Sequence, residues 1–159
     1  MHAPEQIAPE GLADYLDVMS KSVFQSGISW RVVDAKWPGT REAFYGFDPE
    51  RLADLTPDDI DRLASDTRLV RNRRKIEATV TNAETLLDLD RQHGGFKNYL
   101  GSFENYDKLA ADLVKRFKFL GEMGAYHFLY VVGEQVPSWD EWCATHHTAA
   151  SPRPARRRA

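Results

Sequence analysis

The sequence predicts an all-α domain on three observations: apolar residues recur at helical spacings, Asp-Pro and Thr-Pro pairs mark helix starts, and no series of alternating strands occurs. From Gly11 to Gln25, the residues Leu12, Tyr15, Leu16, Met19 and Phe24 form one apolar face, and Gly27 interrupts the pattern just before Trp30. A second helix is predicted through Arg31 to Lys36 and a third from Pro38 to Tyr45. At Asp48-Pro49 and Thr56-Pro57 a capping side chain precedes a proline in the first helical position, where a missing N–H costs nothing. The acids Glu50, Asp58 and Asp59 then favour the positive ends of two short helices. Between Arg71 and Arg91, Ile76, Val80, Ala83 and Leu87 make one stripe on a longer helix, which Gly94-Gly95 ends. Tyr106 to Phe119 carries Leu109, Leu113 and Phe117 at helical spacing, and after Leu120-Gly121-Glu122-Met123-Gly124 an apolar run spans Ala125 to Val132.

A chain of 159 residues suits a single core, and 42% hydrophobic with 11% aromatic residues is a globular composition. The expected organisation is one helical domain over residues 1–144 and a flexible basic C-terminal tail over 145–159, where two prolines and small residues leave no apolar periodicity. The tail's arginines suit phosphate contact or a solvated terminus equally. No apolar run approaches the roughly 20 residues of a bilayer span, so a cytoplasmic protein is expected. The lone Cys143 excludes an internal disulfide and a multi-cysteine zinc site, and no metal is expected. The last nine residues hold four of the 21 basic residues and none of the 24 acids, so the rest is acidic. Any affinity for nucleic acid must therefore come from a local patch rather than from net charge.

The segment around residues 120–124 is the candidate for such a patch. A glycine turn between two helices brings backbone N–H groups and a helix N-terminus to phosphate oxygens without reading sequence, and Lys115, Arg116 and Lys118 lie just upstream. A purely structural turn is the competing reading, and Glu122 is an anion in the same stretch. The basic run from Arg68 to Lys75 also has two readings. Arg71 and Lys75 can face one phosphate from a single helix face, or the run is a solvated helix start paired with Asp59, Asp61 or Asp66.

Gln25-Ser26-Gly27-Ile28-Ser29-Trp30, the Lys36…Arg41-Glu42-Ala43-Phe44…Phe47-Asp48-Pro49 stretch and Arg71-Asn72-Arg73-Arg74-Lys75-Ile76 occur in this order, followed by Phe117-Lys118-Phe119-Leu120-Gly121…Tyr126. Together these blocks, over residues 11 to 133, resemble the DNA-3-methyladenine glycosylase I family. The resemblance implies a helix-hairpin-helix DNA glycosylase fold that bends duplex DNA, extrudes a damaged base and cleaves its N-glycosidic bond. It implies a wedge at Gly27 and Ile28 and a stacking aromatic at Trp30, each weighed against a plain core role. Phosphate contacts are implied at Lys118, Gly121, Met123, Gly124, Arg71, Arg73 and Lys75. Ser22 stands in the base pocket where that family has its base-recognising glutamate, and the family's aromatic N-terminal segment and zinc ligands have no counterpart.

Gly133 to Asp140 is similar to a segment of the wider superfamily in which an aspartate follows the hairpin's second helix. This makes Asp140 the candidate catalytic carboxylate, assisting departure of the base with water as nucleophile; its competing role is to cap a short helix with Glu141. The expected activity is monofunctional, since no motif places a Schiff-base lysine. No cofactor is expected beyond a monovalent cation at the hairpin. The expected partner is double-stranded DNA with a damaged, alkylated purine, bound by a monomer at the nucleoid. The alternative is a non-catalytic DNA-lesion-binding protein of the same fold. Tyr126 and His127 receive no role.

Overall fold

A computed structural model describes residues 4–150, with side chains described through residue 146. Among the described residues there is no strand. The elements in order are α1 (Leu12–Gln25), α2 (Trp30–Ala43), a 3-10 turn (Tyr45–Phe47), α3 (Pro49–Ala53), α4 (Pro57–Ala64), α5 (Arg73–His93), α6 (Phe96–Leu100), α7 (Tyr106–Arg116), α8 (Glu122–Val131) and α9 (Trp139–Ala150).

The expected caps form. Asp48 accepts from the Glu50 N–H, and Thr56 and Asp59 exchange bonds in a capping box. Asn72 and Asn105 cap α5 and α7 by accepting from the N–H groups of Lys75 and Lys108. Gly94 ends α5 in the left-handed conformation, with φ 67°.

The core lies around α1, which packs on α2, α5 and α8 and buries Leu16, Met19, Val23 and Phe24. Stacked Trp37, Phe47 and Phe44 fill the space beneath the 3-10 turn, with centroids 5.4 and 5.2 Å apart. Asp17 ties α1 to α2 by accepting from Trp37 Nε1 at 2.8 Å and from Arg41 Nε at 2.6 Å. On the far side Asp112 accepts from the Tyr99 hydroxyl and Arg116, joining α6 to α7.

Four features differ from the sequence reading. Helices predicted on either side of Pro38 form the single helix α2. Pro38 and Asp34, whose carbonyl loses its partner, both lie on the exposed face, so the freed oxygen need not be buried unpaired. The hairpin connection lies three residues earlier than expected: α7 ends at Arg116, and Glu122, Met123 and Gly124 belong to the first turn of α8. Helix α9 continues past residue 145, where the tail was expected to begin, and runs to Ala150 with a non-helical residue at His146. Residues 151–159, which hold the tail's arginines, lie outside the described residues.

The fourth difference concerns α5. Val80 and Leu87 are only half-buried, whereas Lys75, Thr79 and Asn82 are buried beside Ile76, Ala83, Leu86 and Leu89. Apolar periodicity passes over this stripe because its members are polar. Asn82, 1% exposed, donates through Nδ2 to the Lys118 carbonyl at 3.2 Å and accepts from the Lys118 N–H at 2.8 Å. Asn82→Ala leaves both hairpin groups unpaired, so urea denaturation is expected to show a loss of about 2–3 kcal/mol.

Candidate active-site cleft

A cleft of about 370 Å³ opens between the C-terminal end of α1 and the hairpin, a volume suited to a small organic ligand. Ser22, Gln25, Ser26 and Gly27 form one wall, Trp30 enters from the start of α2, and Phe119, Gly121, Glu122, Met123, Gly124 and His127 form the other. Trp142 reaches it from α9.

Local sequence explains each wall. Gly27 takes φ +78° just beyond α1, turning the chain sharply, and Ser29 caps α2 so that Trp30 becomes its first residue. A Cβ on Gly124 would lie 3.1 Å from Leu120 Cδ1, so the glycine makes room for the Leu120 side chain, and the same position faces Ser22 Cβ of α1 at 3.7 Å. Trp30 is 42% exposed and meets the His127 ring edge-on with centroids 4.8 Å apart, which excludes its role as plain core. Ile28 is 37% exposed and does not cap the core either.

The candidate phosphate contacts separate into four groups. Lys118 and Arg71 are exposed, and neither joins an ion pair among the described residues. Arg73 pairs with Asp61 and with Glu77, the second at 3.7 Å, as the solvated-helix reading expects. Lys75 is buried and donates to the carbonyls of Phe24 and Ser26, so it does not face a phosphate. These oxygens lack helical partners at the end of α1, and a cation there opposes the negative end of the helix dipole. Burial pushes the Lys75 ammonium below the ordinary lysine value. The shared phosphate-binding face of Arg71 and Lys75 is thus corrected: Arg71 precedes α5 and Lys75 is turned into the protein. Gly121, Met123 and Gly124 line the cleft itself, and upstream Arg116 is engaged by Asp112 at 2.7 Å.

The structure does not bring Asp140 into the cleft. It is exposed in the first turn of α9 and is absent from the lining, while Ser138 and Glu141 exchange the capping bonds there at 2.9 and 3.1 Å. Two lining residues had no sequence signal. His127 sits in an apolar helical run, and Trp142, nearly fully buried, lies between Trp139 and His146 in a parallel stack with centroids 5.4 and 4.2 Å away. Glu122 is the one carboxylate of the lining, with His146 Nε2 at 3.9 Å from it. Among the described residues no group of three or more His, Cys, Asp or Glu is placed to hold a metal ion, and no helix is long and apolar enough to cross a membrane.

Burial lowers the proton affinity of His127, so its ring is neutral at neutral pH and can accept a hydrogen bond. The unfolded chain binds this proton first, at about pH 6.5. Between that value and the lowered folded one, stability should therefore fall as pH falls. NMR titration is expected to place the His127 midpoint below 6.5, and His127→Gln to remove its share of the stability loss.

The arrangement has close counterparts. The family model described as methyladenine glycosylase matches residues 13–109. A DNA-3-methyladenine glycosylase from Haemophilus influenzae is 33% identical, over 69% of this chain and 70% of its own length. DNA-3-methyladenine glycosylase 1 of Escherichia coli is 31% identical over the same shares. The crystal structure of a variant 3-methyladenine DNA glycosylase I in complex with 3-methyladenine superposes with a TM-score of 0.71 at 28% identity, covering 81% of each chain. The Staphylococcus aureus 3-methyladenine DNA glycosylase I gives a TM-score of 0.71 at 27% identity, covering 81% of this chain and 80% of that one. With this extent of sequence identity and a superposing helical fold in common, the chain belongs to the methyladenine glycosylase family.

Proposed function

We propose that this protein is a monofunctional DNA N-glycosylase that extrudes an alkylated purine from duplex DNA into the cleft and hydrolyses its N-glycosidic bond. The observation that carries this reading is that one short segment does two jobs: residues 119–124 close the hairpin and also wall the cleft opposite Ser22. A strand held at the hairpin would thus have its extruded base beside Trp30. Ile28 would fill the gap left in the duplex, with Gly27 allowing its approach, and Lys118 and Arg71 would meet phosphates.

The chemistry asks little of the protein beyond extrusion and orientation. A purine alkylated on a second ring nitrogen is cationic while still attached to the sugar. When its C1′–N bond breaks, the electron pair returns to the ring and discharges it, so no acid must first protonate the base. Water then adds to C1′ and releases a proton to solvent. Trp30 supplies a stacking face and Glu122 a negative charge, both favourable to a planar cation. Ser22 carries no charge, and neutral His127 offers an acceptor. No step needs Asp140.

A second reading, a lesion-binding protein without base release, draws on the uncharged Ser22 and on the position of Asp140 outside the cleft. Release of free 3-methyladenine from methylated duplex DNA decides between the two. The wild type is expected to release it, with kcat/KM reduced at least tenfold in Trp30→Ala and changed less than about threefold in Asp140→Asn. Lys118→Glu should weaken DNA binding and shallow its salt dependence. Tight, salt-dependent binding of damaged duplex with no release across a broad lesion panel would establish the second reading instead.

A further inference from the structure

Phe119 occupies the hairpin turn with φ 60°, in the left-handed region that residues with a side chain enter at a cost. A turn built only for connection would place glycine here, yet the nearest glycine is Gly121, which has φ −89° and needs no such freedom. The strain is held in place by Asn82, whose two bonds to Lys118 fix the backbone immediately before it. The neighbours Phe117 and Leu120 turn into the core at 2% and 3% exposure, whereas the Phe119 ring is 45% exposed at the cleft.

Two other aromatic residues share the positive φ, and neither lines the cleft. Phe47 is fully buried, and Tyr45, 43% exposed and away from the cleft, has the Arg51 guanidinium over its ring at 4.1 Å. Over Phe119 the Arg74 guanidinium stands off at 5.8 Å, near the limit of such contacts. Trp30 and Met123 are exposed in the same cleft lining, Ile28 is exposed next to the lining residue Gly27, and Lys118 provides a cation outside ion pairs next in sequence. Apolar rings bordered by free cations suit a nucleic acid whose bases have been unstacked.

From this geometry we infer that Phe119 is a DNA-contacting residue, an aromatic plate held in a strained turn so that it stacks on a nucleobase face at the cleft mouth. The inference rests on the glycosylase reading and adds to it a role for the hairpin beyond gripping phosphate. The base is either the extruded one or one left in the bent strand, and two probes separate these sources.

Phe119→Asn and Phe119→Gly suit the left-handed backbone, so both are expected to keep a Tm within about 2 °C of the wild type or above it. Each is measured against a duplex carrying a tetrahydrofuran abasic analogue and, by tryptophan fluorescence, against free 3-methyladenine. A loss of about tenfold is expected for at least one probe, as removal of one base stack requires. Loss confined to the duplex assigns the stack to a base that stays in the strand, and loss for the free base assigns it to the extruded one. Unchanged affinity for both probes, or a fall in Tm of many degrees in both variants, overturns the inference and leaves the glycosylase reading standing. A wild type that binds neither probe overturns both.

Discussion

One buried polar stripe on α5 holds the two lips of the cleft. Lys75 and Asn82 lie two turns apart on the same helix face with Thr79 between them, and all three are buried. Lys75 grips the carbonyls at the end of α1, whereas Asn82 grips the hairpin through both the N–H and the carbonyl of Lys118. The loop carrying Gly27 and Ile28 and the turn carrying Phe119 are therefore anchored to a single rigid element. Desolvating an ammonium and a carboxamide is costly, and the backbone groups they satisfy would otherwise be orphaned at a helix end and in a tight turn. Hydrogen bonds between such groups fix direction as well as distance, which apolar packing alone does not.

The surface around this frame is sorted by charge. The protein carries a formal net charge of −3, yet Lys118, beside the cleft-lining Phe119, and Arg71 are exposed and outside ion pairs among the described residues, while Arg68, Arg73 and Arg116 are tied to carboxylates. Inside the cleft the balance reverses. Its lining is aromatic, small or polar, with Glu122 as its carboxylate and His127 kept neutral by burial. Cations outside and an anion within suit a ligand whose backbone is negative and whose reacting group is planar and positive. The hairpin serves both regions because Lys118 lies on its exposed side while Gly121 to Gly124 line the cleft facing Ser22.

Much of this was legible in the sequence where the signal is local. The caps at Asp48 and Thr56, the face of α1, the end of α5 at Gly94, and the Gly27 to Trp30 turn follow from side-chain chemistry a few residues away. The order of the motif blocks pointed to the family that the comparisons establish. What misled was information held at a distance. Lys75 read as a surface cation because nothing in its neighbours reveals that α1 ends beside it. Pro38 read as a helix break, although its freed acceptor faces water. Asp140, expected as the catalytic carboxylate, lies on an exposed turn outside the cleft lining, and the stack of Trp139, Trp142 and His146 depends on α9 continuing where periodicity is lost.

The sequence by itself determined the helical class, the caps and turns, the family and the hairpin, since each is written in spacings shorter than two helical turns or in ordered motifs. Only the tertiary structure decided which cations are free, which polar side chains are buried, and which residues share the cleft. Those properties depend on contacts such as Lys75 to Phe24, 51 residues apart, and Asn82 to Lys118, 36 apart. A hydrogen bond across such a span leaves no periodic trace, because its partners are brought together by packing rather than by spacing along the chain.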